Sequence, residues 1–254
     1  MKKILVFAFL LVSAFCSAQE ITVAAAADLQ FAFQDVSARF QKDTGHSAKL
    51  VFGSSGNFFT QIQNGAPFDV FFSADIDYPK RLEAAGLTEP GTLYEYATGK
   101  IVLWVPVDSK VDLSHGLQAL LDPSVQRIAI ANPEHAPYGR AAVAAMKHEG
   151  IYDKVSGKLV LGENISQTAS LVASGGADIG IIALSLAVAP SAKTKGHYAE
   201  VPTDAYPAIE QAAVILKSSQ NKDIAQQFMA YIKTAEIVAL LQGYGFTVPA
   251  AVKK

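Results

Sequence analysis

Four short stretches of this chain place small and polar residues where a strand would hand over to a helix. They are Ala24-Ala-Ala-Ala-Asp28-Leu29, Phe52-Gly-Ser-Ser-Gly-Asn57, Asn132-Pro-Glu-His-Ala-Pro-Tyr-Gly139 and, more weakly, Glu163-Asn-Ile-Ser166. Asp28 stands where a helix N-cap belongs, and Ser55 is placed to cap the helix after it. The first N–H groups of a helix have no partner within it, and its N-terminus carries about half a positive charge. Several such ends converging on one cleft would bind a small oxyanion without any lysine or arginine. A single junction of this kind is an ordinary capped turn, so only the joint pattern points to a site.

Signatures of catalysis are missing. No G-x-x-x-x-G-K-[ST] or G-x-G-x-x-G run occurs, and Gly53-Ser54-Ser55-Gly56 has the wrong spacing for G-x-S-x-G. His46, His115, His135, His148 and His197 show no paired metal-ligand spacing and read as surface or capping residues. Neither a cofactor nor a direct cation site is expected. An exported hydrolase using Ser54 or Ser55 would need a base and an orienting acid. Nothing local supplies them, although His135 could approach from the third junction.

The elements that would carry these junctions alternate between strand and helix. Ile21–Ala26, Lys49–Phe52 and Val70–Phe72 read as strands. Leu29, Phe33, Val36 and Phe40 line one face of a helix ended by Gly45, Phe58, Phe59 and Ile62 lie on a second ended by Gly65, and a third covers Tyr78–Ala85. Ile101–Val107 is a long apolar strand. Strands at Arg127–Ile130, Leu159–Leu161 and Ile179–Ile182 then alternate with helices near Gly139–Met146 and Ile165–Ala173. Ala208–Leu216 holds another apolar stretch, and two helices come after it. This rhythm predicts an α/β protein with parallel or mixed sheets covered on both faces. The middle block reads as a second α/β domain inserted into the first and joined to it by two strands, an arrangement suited to hinge closure. The expected units are a leader at 1–18, one lobe at 19–101 plus 208–254, and a second lobe at 102–207.

The leader is read from Lys2 and Lys3, the apolar run from Ile4, and small residues at Cys16 and Ala18, which together make a secretory signal peptide cut after Ala18. The cut removes the only cysteine and with it any thiol chemistry. Acidic residues (23) nearly balance basic ones (21). That argues against a nucleic-acid partner, which would call for a basic face.

The sequence resembles the periplasmic molybdate-binding proteins, the solute receptors of molybdate ABC importers. The likeness rests on Ile21-Thr-Val-Ala-Ala-Ala-Ala-Asp-Leu29, Phe52-Gly-Ser-Ser-Gly56, Gly65-Ala-Pro-Phe-Asp-Val-Phe-Phe-Ser-Ala-Asp75, Asn132 to Gly139, and Tyr244-Gly-Phe-Thr-Val248. The resemblance implies a two-lobed periplasmic binding protein fold of type II, with two connecting strands as hinge. It implies a monomer in the periplasm that binds molybdate, and tungstate with it, and hands the anion to a membrane permease. Another oxyanion such as phosphate or sulfate is the alternative. The implied ligand contacts are Asp28, Ser55, a main-chain N–H at Tyr138 and the main chain at Ile165. Some members add a tyrosine hydroxyl near Ile182, where this chain has Ala183, and Tyr138 is expected to supply that hydroxyl instead.

Asp28 departs from the family pattern, in which serine or asparagine is usual. An ionised carboxylate only accepts hydrogen bonds. Beside a dianion it would repel by ~1 kcal/mol in water and by several at lower effective dielectric. Asp28 therefore has three readings: it points away and caps its helix, offering only its N–H; it accepts a proton carried by the ligand; or it is itself protonated and neutral.

Overall fold

In the computed structural model, which describes residues 19–249, the chain forms two five-stranded sheets of the same layout. The expected leader lies outside the described residues. The first sheet holds β1 (Glu20–Ala26), β2 (Ser47–Gly53), β3 (Val70–Ser73), β4 (Tyr94–Gly99) and β10 (Ile209–Ile215), in the order β2-β1-β3-β10-β4. The second holds β5 (Ile101–Pro106), β6 (Ile128–Ala131), β7 (Leu159–Gly162), β8 (Ile179–Ala183) and β9 (Gly196–Glu200), in the order β7-β6-β8-β5-β9. In each sheet three strands run parallel, and the fourth strand in the order, β10 or β5, runs antiparallel to both its neighbours. These are the two mixed sheets, flanked by helices, of a two-lobed type II fold.

The chain passes from one sheet to the other within one residue, Lys100, and returns through residues 201–208. The two apolar stretches that read as connecting strands are therefore interior strands, paired on both sides. Only the short segments beside them cross between lobes.

Nine helices cover the sheets among the described residues: α1 (Gln30–Thr44), α2 (Ser55–Gln63), α3 (Asp77–Ala84), α4 (Pro137–His148), α5 (Tyr152–Val155), α6 (Ile165–Ala173), α7 (Leu184–Ala187), α8 (Lys222–Ile232) and α9 (Ala235–Gly243). Helix α1 buries Phe33, Val36 and Phe40 as its spacing dictates, and stops where Gly45 turns left-handed at φ 77°. Helix α4 begins at Pro137, earlier than its apolar pattern suggests. Proline suits the first helical position because its missing N–H would be unpaired there anyway. The strands the pattern misses, β4 and β9, both lie at sheet edges, where mixed polar residues face outward.

The cores differ. The first lobe packs rings edge to face: Phe33, Phe40, Phe72, Tyr96 and Phe228 form one connected cluster. The second is mainly Ile, Val, Leu and Ala around β5, β6 and β8. No described helix is long and apolar enough to cross a membrane.

Candidate functional site

Each implicated residue stands just past the C-terminal end of a strand, in the first turn of the helical segment beyond it. After β1, a single 3-10 turn, Ala27–Leu29, leads into α1 and carries Asp28. Ser55 is the first residue of α2, Tyr138 the second of α4, and Ile165 the first of α6. All four line one small cavity between the lobes, with Ala26, Ala27, Gly53, Ser54, Ala74, Ala136, Pro137 and Asn164 completing its wall. No lysine or arginine is among them. At Tyr138 and Ile165 the main-chain N–H groups fall in the first helical turn, where no intrahelical acceptor exists. Asn164 secures the start of α6, its side chain accepting from the N–H of Gln167 at 2.9 Å.

Ser55 is not the cap of α2. Ser54 occupies that position, and neither hydroxyl caps the helix. The Ser55 Oγ instead accepts a hydrogen bond from the Ala74 N–H at 2.9 Å, within the protein interior. With a lone pair fixed by that donor, its own proton remains to be donated into the cavity. The Ser54 Oγ lies 2.9 Å from His135 Nδ1 on the other lobe.

Asp28 does not cap its helix either, and its side chain does not point away. It is 1% exposed. Its Oδ2 accepts from the Tyr138 hydroxyl at 2.9 Å and from Gln211 Nε2 at 2.8 Å. The cause is topological. Tyr138 comes from the opposite lobe and Gln211 from β10, and both reach inward to the same point. Tyr96 closes the network, its hydroxyl donating to Gln211 Oε1 at 2.6 Å. A glycine makes room for this: a Cβ on Gly99 would collide with the Tyr138 hydroxyl. Burial pushes the Asp28 carboxyl up to about 6, against the opposing pull of hydrogen bonds from Gln211 and Tyr138. Burial, and then the nearby Asp28 charge, raise the Tyr138 hydroxyl well above its usual range. The Tyr138 hydroxyl is therefore spent on Asp28. In this structure the hydroxyl expected to replace the tyrosine missing at Ala183 donates to Asp28 and accepts from Gln211 Nε2 at 2.9 Å.

The lobes touch across the cleft. Gly56 N donates to His135 O at 2.9 Å, and Asn57 Nδ2 to Glu163 Oε1 at 2.5 Å. The Ser185 hydroxyl of α7 donates to the main-chain oxygen of Asp28 at 2.7 Å. A Cβ on Gly56 would come within 2.7 Å of His135 O, so a glycine is required for this approach. His135 is thus a half-buried bridge between lobes, not a surface residue. His46 is buried too, its Nδ1 accepting from Gln19 N at 3.3 Å. Ser54, His135 and Glu163 do not form a nucleophilic triad. The His135 Nε2 to Glu163 distance is 3.6 Å, beyond a hydrogen bond, and Glu163 already accepts from Asn57.

A larger cleft lies beside this cavity, lined by Asp75, Asp77 and Glu210 against Lys80 and Arg140. It is a poor anion site, because carboxylates outnumber cations and the Arg140 guanidinium is engaged by Asp75.

Sequence reasoning overlooked Gln211, Tyr96 and Ser185. Gln211 carried a signal: it is an uncharged polar residue directly before the apolar run Ala212–Leu216, fully buried, and β10 shifts register immediately after it. Such a bulge re-aims a side chain. Ser185 sits on a four-residue helix with no pattern of its own.

The family model for bacterial extracellular solute-binding proteins matches residues 21–247. The chain is 39% identical over 233 residues to the molybdate-binding protein ModA of Azotobacter vinelandii, covering 91% of this chain and 92% of that one. It is 38% identical to the ModA of Rhodobacter capsulatus over 230 residues, 91% and 89% of the two chains. The solved structure of the Azotobacter vinelandii periplasmic molybdate-binding protein superposes with a TM-score of 0.86 at 37% identity, over 91% of this chain and all of that one.

Proposed function

This chain belongs to the bacterial extracellular solute-binding proteins, among their molybdate-binding members, and from that premise we propose that it captures molybdate in the cavity bounded by Asp28, Ser55, Tyr138 and Ile165. It is a binding protein of an ABC importer and not an enzyme. The observation that carries the site assignment is the meeting of four strand-to-helix junctions, two from each lobe, at one cavity without a basic side chain. Ser55 offers its hydroxyl, and Tyr138 and Ile165 offer main-chain N–H groups. A hydrogen bond to a charged group contributes ~1.5–3 kcal/mol, so a handful exceeds the ~8–12 kcal/mol of a micromolar-to-nanomolar ligand and offsets the costs of desolvation and closure.

The moving units in this reading follow the two sheets, residues 19–99 with 209–249 and residues 101–200, so that Ile101 belongs to the second lobe and not, as the sequence suggested, to the first. The anion enters the open cleft. The donors of the second lobe reach it only when the lobes meet, so binding favours closure. The closed monomer, exported to the periplasm by the leader, docks on a membrane permease and releases its cargo there. Tungstate, of like charge and shape, is the second ligand. Fixed donors in a tight cavity disfavour the smaller sulfate. No cofactor takes part.

Thermal unfolding of the mature protein with molybdate, tungstate, sulfate and phosphate in turn tests this. A ligand at 100 times its dissociation constant stabilises by ~2.7 kcal/mol. At ~2–4 °C per kcal/mol, that raises Tm by roughly 5–11 °C. A rise with molybdate and tungstate alone is expected. A rise with phosphate or sulfate alone replaces the ligand assignment, and no rise with any of them removes it.

A further inference from the structure

One oxygen of Asp28 is left over. Its Oδ2 is held by Tyr138 and Gln211, whereas Oδ1 is buried and has no hydrogen-bond partner. A buried carboxylate oxygen without a donor is costly, and Asp28 is one of the residues that line the cavity assigned above to the anion. Every other polar group implicated there donates, as a tetrahedral dianion requires. An ionised Asp28 would instead present an acceptor to an acceptor.

We propose that Asp28 binds one proton together with the anion, so that its Oδ1–H donates to an oxyanion oxygen and each captured anion brings one proton from solvent into the closed protein. The proposal rests on the reading of this cavity as the oxyanion site. The proton comes from water when the cleft closes, sits on Oδ1 while Oδ2 keeps its two donors, and returns to water when the anion leaves. No bond other than this O–H forms or breaks. The net charge placed in the cavity falls by one unit, which a site without lysine or arginine needs.

The surroundings leave Asp28 as the group that titrates. Tyr138 from α4 and Tyr96 from β4 are held neutral, because burial pushes both hydroxyls well above their usual range. Gln211 from β10, Ser55 from α2 and Ser185 from α7 carry no charge. His135 and Glu163 are the other titratable groups at this end of the cleft, and they face one another, Ser54 and Asn57 rather than Asp28. The Asp28 carboxyl, raised to about 6 before any anion arrives, is already poised to take up a proton.

The test is calorimetric titration of molybdate into the mature protein, in two buffers of different ionisation enthalpy, at several pH values above about 6. The expected result is uptake of about one proton per anion and a dissociation constant that rises about tenfold for each unit of pH, since the proton must be supplied from an ever scarcer pool. In Asp28→Asn, whose amide brings its own protons, uptake vanishes and binding becomes independent of pH. In His135→Gln, uptake persists. Molybdate binding without proton uptake overturns this inference and leaves the binding function standing. Uptake that survives Asp28→Asn, or is lost in His135→Gln, overturns the assignment to Asp28. If Asp28→Asn does not fold, the wild-type and His135→Gln titrations still decide the matter. No heat with molybdate at any pH removes the proposed function and this inference with it.

Discussion

In the proposed site the two walls of the cleft do the same work with different parts of the chain. The first lobe brings side chains, the Ser55 hydroxyl and the Asp28 carboxyl. The second brings main chain, the N–H groups of Tyr138 and Ile165 at the starts of α4 and α6. Of the polar side chains on the second wall, Tyr138 is committed to Asp28 and Asn164 to the N–H of Gln167. A side-chain wall is specified by residue type and can be rewritten by one substitution. A main-chain wall is specified by where a helix begins, and it is reached only through the residues that fix that start. Pro137 at the first helical position, the Asn164 cap and the close packing of Gly139 are those residues here.

The sharpest way to break the comparison is at Gly139. A Cβ there would collide with the main-chain oxygen of Ala131 in β6 and push α4 off the sheet. Gly139→Ala should destabilise by about 3 kcal/mol, the upper end of typical over-packing, and abolish molybdate binding although no side chain at the cavity has changed. Urea unfolding and calorimetry read the two effects. Binding that survives would mean that the second wall is not built as described.

Asp28 supplies the next largest effect, through pH. Its folded carboxyl is raised from 3.8 to about 6, so the folded state binds the proton more tightly than the unfolded chain does. The stability this gives is fully present below about pH 4 and is lost as pH rises through about 6. The change is on the order of 2–3 kcal/mol. Urea unfolding of the anion-free protein across that window should show the decline, and Asp28→Asn should flatten it.

Ser55→Ala tests the side-chain wall directly. It removes the donor proposed for the anion and leaves the Ala74 N–H without its acceptor. Binding should weaken by about 1.5–3 kcal/mol, roughly 10- to 150-fold. The smallest effect belongs to the rim. Glu163 is 58% exposed at its side chain, so Glu163→Gln should change affinity by less than about 1 kcal/mol. A larger loss there would give the cross-cleft bridges a greater share in closure than the two walls allow.

Much of this was legible in the sequence, unevenly. The strands of the sheet interiors and the helices with a clean apolar face were visible because burial on one or both sides writes a period into the residues. Edge strands β4 and β9 left no such mark. The four residues that meet at the cavity were readable from the junctions and from the family likeness, since small residues before a helix are a local signal. The direction of the Asp28 side chain was not readable. It is set by Tyr138 and Gln211, which lie 110 and 183 residues further along the chain. Local preference favours an acidic N-cap there, and a distant hydrogen-bond network overrides it. The same holds for Ser55, whose hydroxyl answers the N–H of Ala74 on the strand-end beside it rather than its own helix.

The central claim is that a side-chain wall and a main-chain wall meet on one oxyanion. A crystal structure of the molybdate complex, with molybdenum located by its anomalous scattering, tests it most directly. The molybdenum is expected in the cavity between Asp28, Ser55, Tyr138 and Ile165, with its oxygens within hydrogen-bond distance of the Ser55 Oγ, the Asp28 Oδ1 and the N–H groups of Tyr138 and Ile165. Molybdenum seated instead in the neighbouring cleft of Asp75 and Arg140, or held without any main-chain donor from the second lobe, would contradict it.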